Sequence, residues 1–137
     1  MLRLNNKGQS LVMFIILLPI LLLILTLVYD VGNAIYEKDR LSNTNYMVVD
    51  YALDNIDSID EDDLNTLILE NDNNLDDISI MIIDNSVDIS LKKNIKGVFG
   101  KMFNFNLTFV KSEYNGKIVN GKKKIERVKW YYDRESN

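Results

Sequence analysis

The hydrophobic and polar residues divide the chain into two unlike parts. Leu11 to Tyr29 is an apolar run without a charged residue, and fifteen of its nineteen residues are Leu, Ile, Val or Phe. A helix of this length spans roughly 28 Å, which matches the hydrocarbon core of a bilayer. The run is longer than the apolar region of a cleaved secretory signal, and Asp30 interrupts the approach to the small residues beyond it. The pattern predicts a transmembrane helix that holds Leu11, Phe14, Pro19 and Tyr29 in the bilayer.

After this run the spacing becomes that of an amphipathic helix. Apolar residues from Val31 to Ile56 recur mostly three, four or seven positions apart, with polar residues between them. One continuous helix is therefore predicted from about Gln9 to Ile56, crossing the membrane and continuing outside it. Asp30 and Gly32 mark its exit from the membrane, where Gly32 lowers the helical propensity.

The middle of the chain predicts a second helix and a hairpin. Acidic residues cluster at positions 57–63, and carboxylates favour a helix N-terminus, so a short helix is predicted from Asp60 to Glu70. Two alternating segments follow, Ile78–Ile83 and Val87–Leu91, and Asp84–Ser86 is a suitable hairpin connection between them. A basic amphipathic stretch comes next, from Lys93 to Phe103.

The last third of the chain contains two Asn-Gly dipeptides, a strong local signal for a tight turn. The first predicts a turn at Asn115–Gly116, between strands Leu107–Tyr114 and Lys117–Val119. The second predicts a turn at Asn120–Gly121 before a final strand, Ile125–Tyr132. The combined prediction is an α+β architecture, in which a long N-terminal helix packs on a small, mostly antiparallel sheet.

The amino-acid composition excludes several kinds of catalytic site. The chain has no Cys and no His, which excludes disulfides, thiolate nucleophiles and catalytic triads built on His. Asp72-x-Asn74-x-Asp76 is similar to the start of a calcium-binding loop, but Asp77 and Ile83 stand where that loop needs Gly and Glu. A solvated acidic surface is the better interpretation. We expect no catalytic residue, cofactor, metal or small-molecule substrate, and no enzyme.

Flanking charge predicts the orientation. Arg3 and Lys7 precede the apolar run, and Asp30 follows it. Because cytoplasmic flanks of membrane helices are enriched in Lys and Arg, the N-terminus is predicted to be cytoplasmic. The predicted organisation is a basic leader (1–8), a membrane helix (9–29) and an extracytoplasmic domain (30–137) of a single-pass protein in the plasma membrane.

Charge is distributed unevenly over the predicted domain. Residues 41–91 carry thirteen acidic side chains and no Lys or Arg, whereas residues 92–137 carry twelve basic and four acidic ones. Neutralisation of one part by the other within the domain is the first interpretation, and contact between neighbouring subunits is the second. Attraction to the membrane surface or to cell-wall polyanions is a third. Nucleic acid is not an expected partner of an extracytoplasmic domain.

The segment Lys7–Phe14, together with Pro19 and the later Tyr29–Asn33, resembles the TadE-like family. These are pseudopilins or minor pilins of the tight-adherence (Tad) pilus system, with a type IV pilin-like N-terminus. The resemblance covers about residues 3–40. It implies that a prepilin peptidase cuts between Gly8 and Gln9. The chain departs from the family at Met13, where such chains usually have the Glu that pairs with a neighbour's N-terminal amine.

The resemblance implies a structural role in assembling a Tad-type pilus or secretion apparatus. The implied partners are other membrane subunits of that system, the prepilin peptidase and the lipid bilayer. The alternative is a single-pass sensor or binding module whose outer domain recognises an envelope ligand. A membrane-tethered enzyme is a third, weaker hypothesis.

Overall fold

The computed structural model describes residues 6–104 and 108–128. A 49-residue helix, α1, forms the first part of this chain. The strands form one antiparallel sheet in the order β1-β2-β3-β4. The predicted α+β architecture is confirmed. The elements are α1 (Asn6–Asp54), α2 (Glu61–Asn71), β1 (Asp77–Ile83), β2 (Ser86–Ile95), α3 (Gly97–Phe103), β3 (Thr108–Val119) and β4 (Lys122–Arg127).

Helix α1 is continuous through both residues that could have interrupted it, Pro19 and Gly32. Every large apolar side chain between Leu11 and Tyr29 is exposed. Among the described residues, α1 is the one helix that is long and apolar enough to cross a membrane. The predicted long helix is therefore confirmed, and its C-terminal end, Asp54, lies two residues before the predicted one.

The core lies where the second half of α1 packs against α2 and one face of the sheet. Asp60 caps α2 as predicted, because its carboxylate accepts the Asp63 N–H at 2.8 Å. The side chains of β1 at Ile78, Ile80 and Ile82 share one half-buried face. The buried apolar residues are Leu41, Val48, Val49, Ala52, Leu53, Leu64, Ile68, Val87, Ile89, Leu91, Ile95 and Val110.

The turn predicted at Asn115–Gly116 is wrong. Strand β3 runs without a break from Thr108 to Val119, and Gly116 lies inside it, opposite Val87. A Cβ atom at Gly116 would overlap Val49 and would lie 2.9 Å from Leu53 Cδ1. Glycine is therefore used here to bring the sheet close to α1, and this close packing overrides the local turn signal.

The second Asn-Gly dipeptide does form the predicted turn. Asn120 and Gly121 both have positive φ, 54° and 75°, as a two-residue hairpin turn requires. The strand that follows begins earlier than predicted, at Lys122, because it pairs with β3 directly after the turn. The described residues end at Val128, so residues 129–132 of the predicted strand lie outside them.

The basic stretch predicted from Lys93 to Phe103 is divided between two elements. Its first residues extend β2 to Ile95, because they continue the pairing with β3 as far as Thr108. Helix α3 then begins at Gly97, whose φ of +67° marks the change of direction.

Candidate functional site

The residues singled out from the sequence are distributed along α1 and do not form a pocket. Gly8 and Gln9 lie in the first turn. The side chains chosen for the membrane span, Leu11, Phe14, Pro19 and Tyr29, are exposed along the helix surface, and Gly32 is exposed beyond them. Of the eight residues, Asp30 is the one that the fold buries, so the candidate site is built around it.

Asp30 is fully buried between exposed neighbours. Its exposed fraction is 0%, against 64% for Tyr29 and 56% for Val31. Its two carboxylate oxygens accept the backbone N–H groups of Val98 at 2.7 Å and Phe99 at 2.8 Å. The first residue after the apolar run is thus fixed to a segment almost seventy positions away in the sequence.

These hydrogen bonds cap α3 from outside the helix. Val98 and Phe99 are the second and third residues of α3, whose N–H groups have no partner within a helix. The residue at the N-cap position, Lys96, makes no side-chain cap hydrogen bond. Asp30 therefore does what Asp or Ser usually does at an N-cap, and its negative charge also complements the helix dipole.

Gly97 makes this contact possible. It has a positive φ, which is easily adopted by glycine. A Cβ at this position would lie 2.6 Å from both Cγ and Oδ2 of Asp30. Any side chain here would separate α3 from the carboxylate.

A charged cluster lies two helical turns beyond Asp30, on the same face of α1. Lys93 Nζ is 2.9 Å from Glu37 Oε2 and 3.2 Å from Asp72 Oδ2, so it joins β2 to α1 and to the end of α2. Burial tends to lower the pKa of Lys93, but the hydrogen bonds and negative charges of Glu37 and Asp72 outweigh it and raise this pKa above its ordinary value.

The cluster corrects one sequence interpretation. Asp72 is buried and paired with Lys93, so it does not belong to a solvated acidic surface. A second ion pair connects Lys123 of β4 to Asp50 at 2.6 Å and to Asp54 at 2.9 Å, and these partners raise the pKa of Lys123. Both clusters join the acidic and basic parts of the chain within the domain, as the first interpretation of the charge pattern predicts.

Asn45 continues the same buried face of α1. Its side-chain NH2 group donates to the backbone oxygens of Ile89 and Ser112 at 3.0 and 3.1 Å, and to Ser112 Oγ at 3.2 Å. The contact attaches α1 to the two central strands. Sequence reasoning missed it because an Asn between polar neighbours carries no periodic signal.

The apolar residues Val31 and Ile35, included in the predicted amphipathic pattern, are exposed instead of packed in the core. With Leu27, they line an open groove of about 350 Å³ beside Phe109 and Val110 of β3. The face that α1 buries at this level consists of Asp30, the partly buried Ala34 and Glu37, and then Leu41.

The comparison with known families concerns this same helix. Residues 8–44 match the family model described as putative Flp pilus-assembly TadE/G-like. This chain carries a TadE/G-like segment. The match confirms the resemblance seen in the sequence, and it supports a pilus-related role and anchoring in a membrane. No curated protein and no solved structure matches the chain.

The TadE/G-like segment contains the whole apolar run, the buried Asp30 and the first core residue, Leu41. It ends at Thr44, shortly after α1 enters the core at Leu41, so α2, α3 and the sheet lie beyond the match. The family is one of pilus-assembly components and not of enzymes.

Proposed function

We propose that this protein is a membrane-anchored pseudopilin or minor pilin with a structural role in assembling a Tad-type pilus or secretion apparatus. Residues 1–8 form a cytoplasmic leader, residues 9–29 span the plasma membrane, and residues 30–137 form the extracytoplasmic domain. The TadE/G-like segment, the exposed apolar half of α1 and the basic residues Arg3 and Lys7 support this proposal.

The observation that carries the proposal is the continuity of α1. One helix includes the exposed apolar half and the half that packs in the domain core, with no linker between them. Any movement of the membrane half is therefore passed directly to the domain. This suits a subunit whose domain must be placed by helix packing in a membrane or filament base.

Met13 lies where pilin-like chains usually have Glu, so helix packing at this position differs from theirs. It is exposed on α1 and apolar, so position 13 presents no carboxylate to a neighbouring subunit. An apolar residue at this depth also makes the helix easier to insert, since a charged side chain inside the bilayer is costly. In our proposal, the membrane half contacts its neighbours through apolar side chains alone.

The first experiment tests the pilus role in the source organism by deleting the gene and counting surface pili by electron microscopy. Complementation uses the full chain and a matched chain whose residues 11–29 are replaced by an unrelated leucine-alanine span. We expect the deletion to reduce piliation and the full chain alone to restore it. Unchanged piliation in the deletion would contradict the proposal and favour the single-pass sensor.

The second experiment tests leader processing by mass spectrometry of the membrane-extracted protein. We expect a mature N-terminus at Gln9 in cells that contain the prepilin peptidase. A Gly8→Leu variant, which places a bulky side chain at the cut, serves as the uncut control. A native chain that still begins at Met1 would contradict processing and leave a simple anchor.

A further inference from the structure

Helix α3 lies at the level where α1 leaves the membrane. Its second and third residues are hydrogen-bonded to Asp30, which directly follows the charge-free run. A seven-residue helix is about 10 Å long, so all of α3 stays within about that distance of the exit point. The headgroup region on each side of a bilayer is roughly 5–8 Å thick. The attachment to Asp30 therefore places α3 in or beside this region.

The surface of α3 is unusually apolar for a helix outside the core. Val98, Met102 and Phe103 are 44%, 63% and 57% exposed, and Phe103 also contacts the ring of Phe99, at 4.7 Å between centroids. Water would hydrate these side chains poorly, whereas the boundary between headgroups and acyl chains accepts them well.

The charges around α3 suit a lipid surface. Lys96 and Lys101 are exposed at the start and in the last turn of the helix. The sequence from Lys96 to Ser112 contains three Lys and no Asp or Glu, and Lys96 and Lys101 are the two that belong to α3 or its N-cap. Lysine can lay its aliphatic stem along apolar surface while its amine reaches lipid phosphates, and each such residue strengthens binding to anionic lipid.

We propose that α3 is a second membrane contact, which lies in the headgroup region on the domain's side of the bilayer and is held there by Asp30. The span and α3 are then two attachments at a fixed mutual position. Together they set the orientation of the domain relative to the membrane plane, since interfacial anchors determine how a span tilts and rotates. This inference rests on α1 crossing the bilayer and does not require the pilus role.

The test uses the absence of native cysteine, which allows one environment-sensitive label per chain. Full-length Met102→Cys carries the label on α3. Met81→Cys on β1 is the matched control, because the two methionines are similarly exposed, 63% and 52%. Leu21→Cys reports on the span. Each labelled chain is placed singly in nanodiscs of phosphatidylcholine and phosphatidylglycerol that carry a spin-label quencher on the headgroup or deep in the acyl chain.

We expect headgroup quenching at 102 to be at least twice that at 81, and deep quenching to be strongest at 21. Equal headgroup quenching at 102 and 81, with a normal signal at 21, would overturn α3 as a membrane contact while leaving the anchor intact. Absence of deep quenching at 21 would overturn this inference together with the membrane anchor. In a second preparation with two chains per disc, a signal at 102 that is absent from the single-chain discs would overturn the proposal and assign α3 to contact with a neighbouring subunit.

A final variant tests the role of Asp30. Asp30→Asn in the Met102→Cys chain keeps the side-chain shape but removes the charge and one of the two acceptors. We expect headgroup quenching at 102 to fall by at least half, with the signal in the Met81→Cys chain unchanged by the same substitution. Full quenching at 102 without the carboxylate would contradict the attachment of α3 by Asp30.

Discussion

The two halves of α1 form one continuous helix but differ in composition and in which side chains are buried. From Leu11 to Tyr29 the side chains are almost all apolar, and the large ones are all exposed. From Asp30 to Asp54 the helix is mixed, and its buried face includes Asp30 and Asn45 beside Leu41 and Val48. Apolar residues alone therefore do not identify what this helix buries.

The difference follows from what surrounds each half. The membrane half has all its backbone hydrogen bonds within the helix except at Pro19, and lipid surrounds apolar side chains at any angle. The domain half meets strand carbonyls, the start of α3 and the partly buried Lys93, which require polar partners. The carboxylate of Asp30 and the NH2 group of Asn45, both buried, are hydrogen-bonded to other elements, as burial in a low dielectric favours.

Replacing one leucine by alanine in each half of α1 should give the largest difference in the free energy of unfolding. Leu53→Ala removes a core side chain that is 2% exposed, and we expect it to lower the free energy of unfolding of the domain by about 2–5 kcal/mol. Leu21→Ala removes a side chain outside the domain and should leave this free energy unchanged. Urea unfolding in mild detergent measures both. Equal losses would contradict the division of α1 into two halves.

Removing the partly buried Lys93 should have the next largest effect. Lys93→Met leaves Glu37 and Asp72 without their cation, and we expect a loss of about 2–3 kcal/mol, below that of a fully buried pair because these groups keep some water contact. Lys123→Met breaks a more exposed pair and should not shift the unfolding midpoint measurably.

The pH dependence of the same variant gives an independent check. Because the folded-state pKa of Lys93 is raised, its contribution to stability is complete below the ordinary pKa of about 10.4 and is lost as pH rises through the folded-state pKa. The stability difference between the native chain and Lys93→Met should therefore stay constant through neutral pH and shrink above about pH 10.4. A difference that already shrinks as pH rises from 7 to 9 would contradict this assignment, because a raised pKa keeps Lys93 charged over that range.

Two asparagines on the same helix test the polar contacts of the domain half. Asn45→Ala removes the donor shared by Ile89 and Ser112, and we expect a loss of about 1–3 kcal/mol. Asn43→Ala changes an exposed residue two positions earlier and should alter stability little. Thermal unfolding of the pair distinguishes them, and equal midpoints would show that the buried amide contributes nothing.

Replacing two glycines by alanine should change the free energy of unfolding in opposite directions. Gly116→Ala would force a Cβ into Val49 and Leu53, and we expect a loss of about 1–2 kcal/mol. Gly32→Ala meets no atom within 4 Å and should stabilise α1 by up to about 1 kcal/mol through helix propensity. Destabilisation by Gly32→Ala would mean that α1 needs flexibility at its exit.

Local signals predicted those features that depend on nearby residues. The span follows from the length and apolarity of residues 11–29, the Asp60 cap from its position before α2, and the hairpin face from the alternation of Val87, Ile89 and Leu91. The resemblance to the TadE-like family was also visible there, because its pattern lies within about forty residues.

Features that depend on distant packing could not be predicted in this way. Asn115–Gly116 and Asn120–Gly121 are the same dipeptide, yet only the second forms a turn, since α1 packs on the first. Asp30 was singled out from the sequence as the membrane exit, but its hydrogen-bond partners on α3 are 68 and 69 residues away. No short-range pattern links such positions.

The most direct test of the central claim is a single-cysteine accessibility scan along α1 in sealed proteoliposomes. We predict that a water-soluble maleimide leaves all positions from 11 to 28 unlabelled, whatever their direction on the helix. Beyond residue 30 labelling should become periodic, with Tyr36→Cys and Met47→Cys reactive, and Leu41→Cys and Val48→Cys protected. Labelling of Leu21→Cys at the rate of Tyr36→Cys, or a periodic pattern already within 11–28, would contradict a membrane half and a domain half joined in one helix.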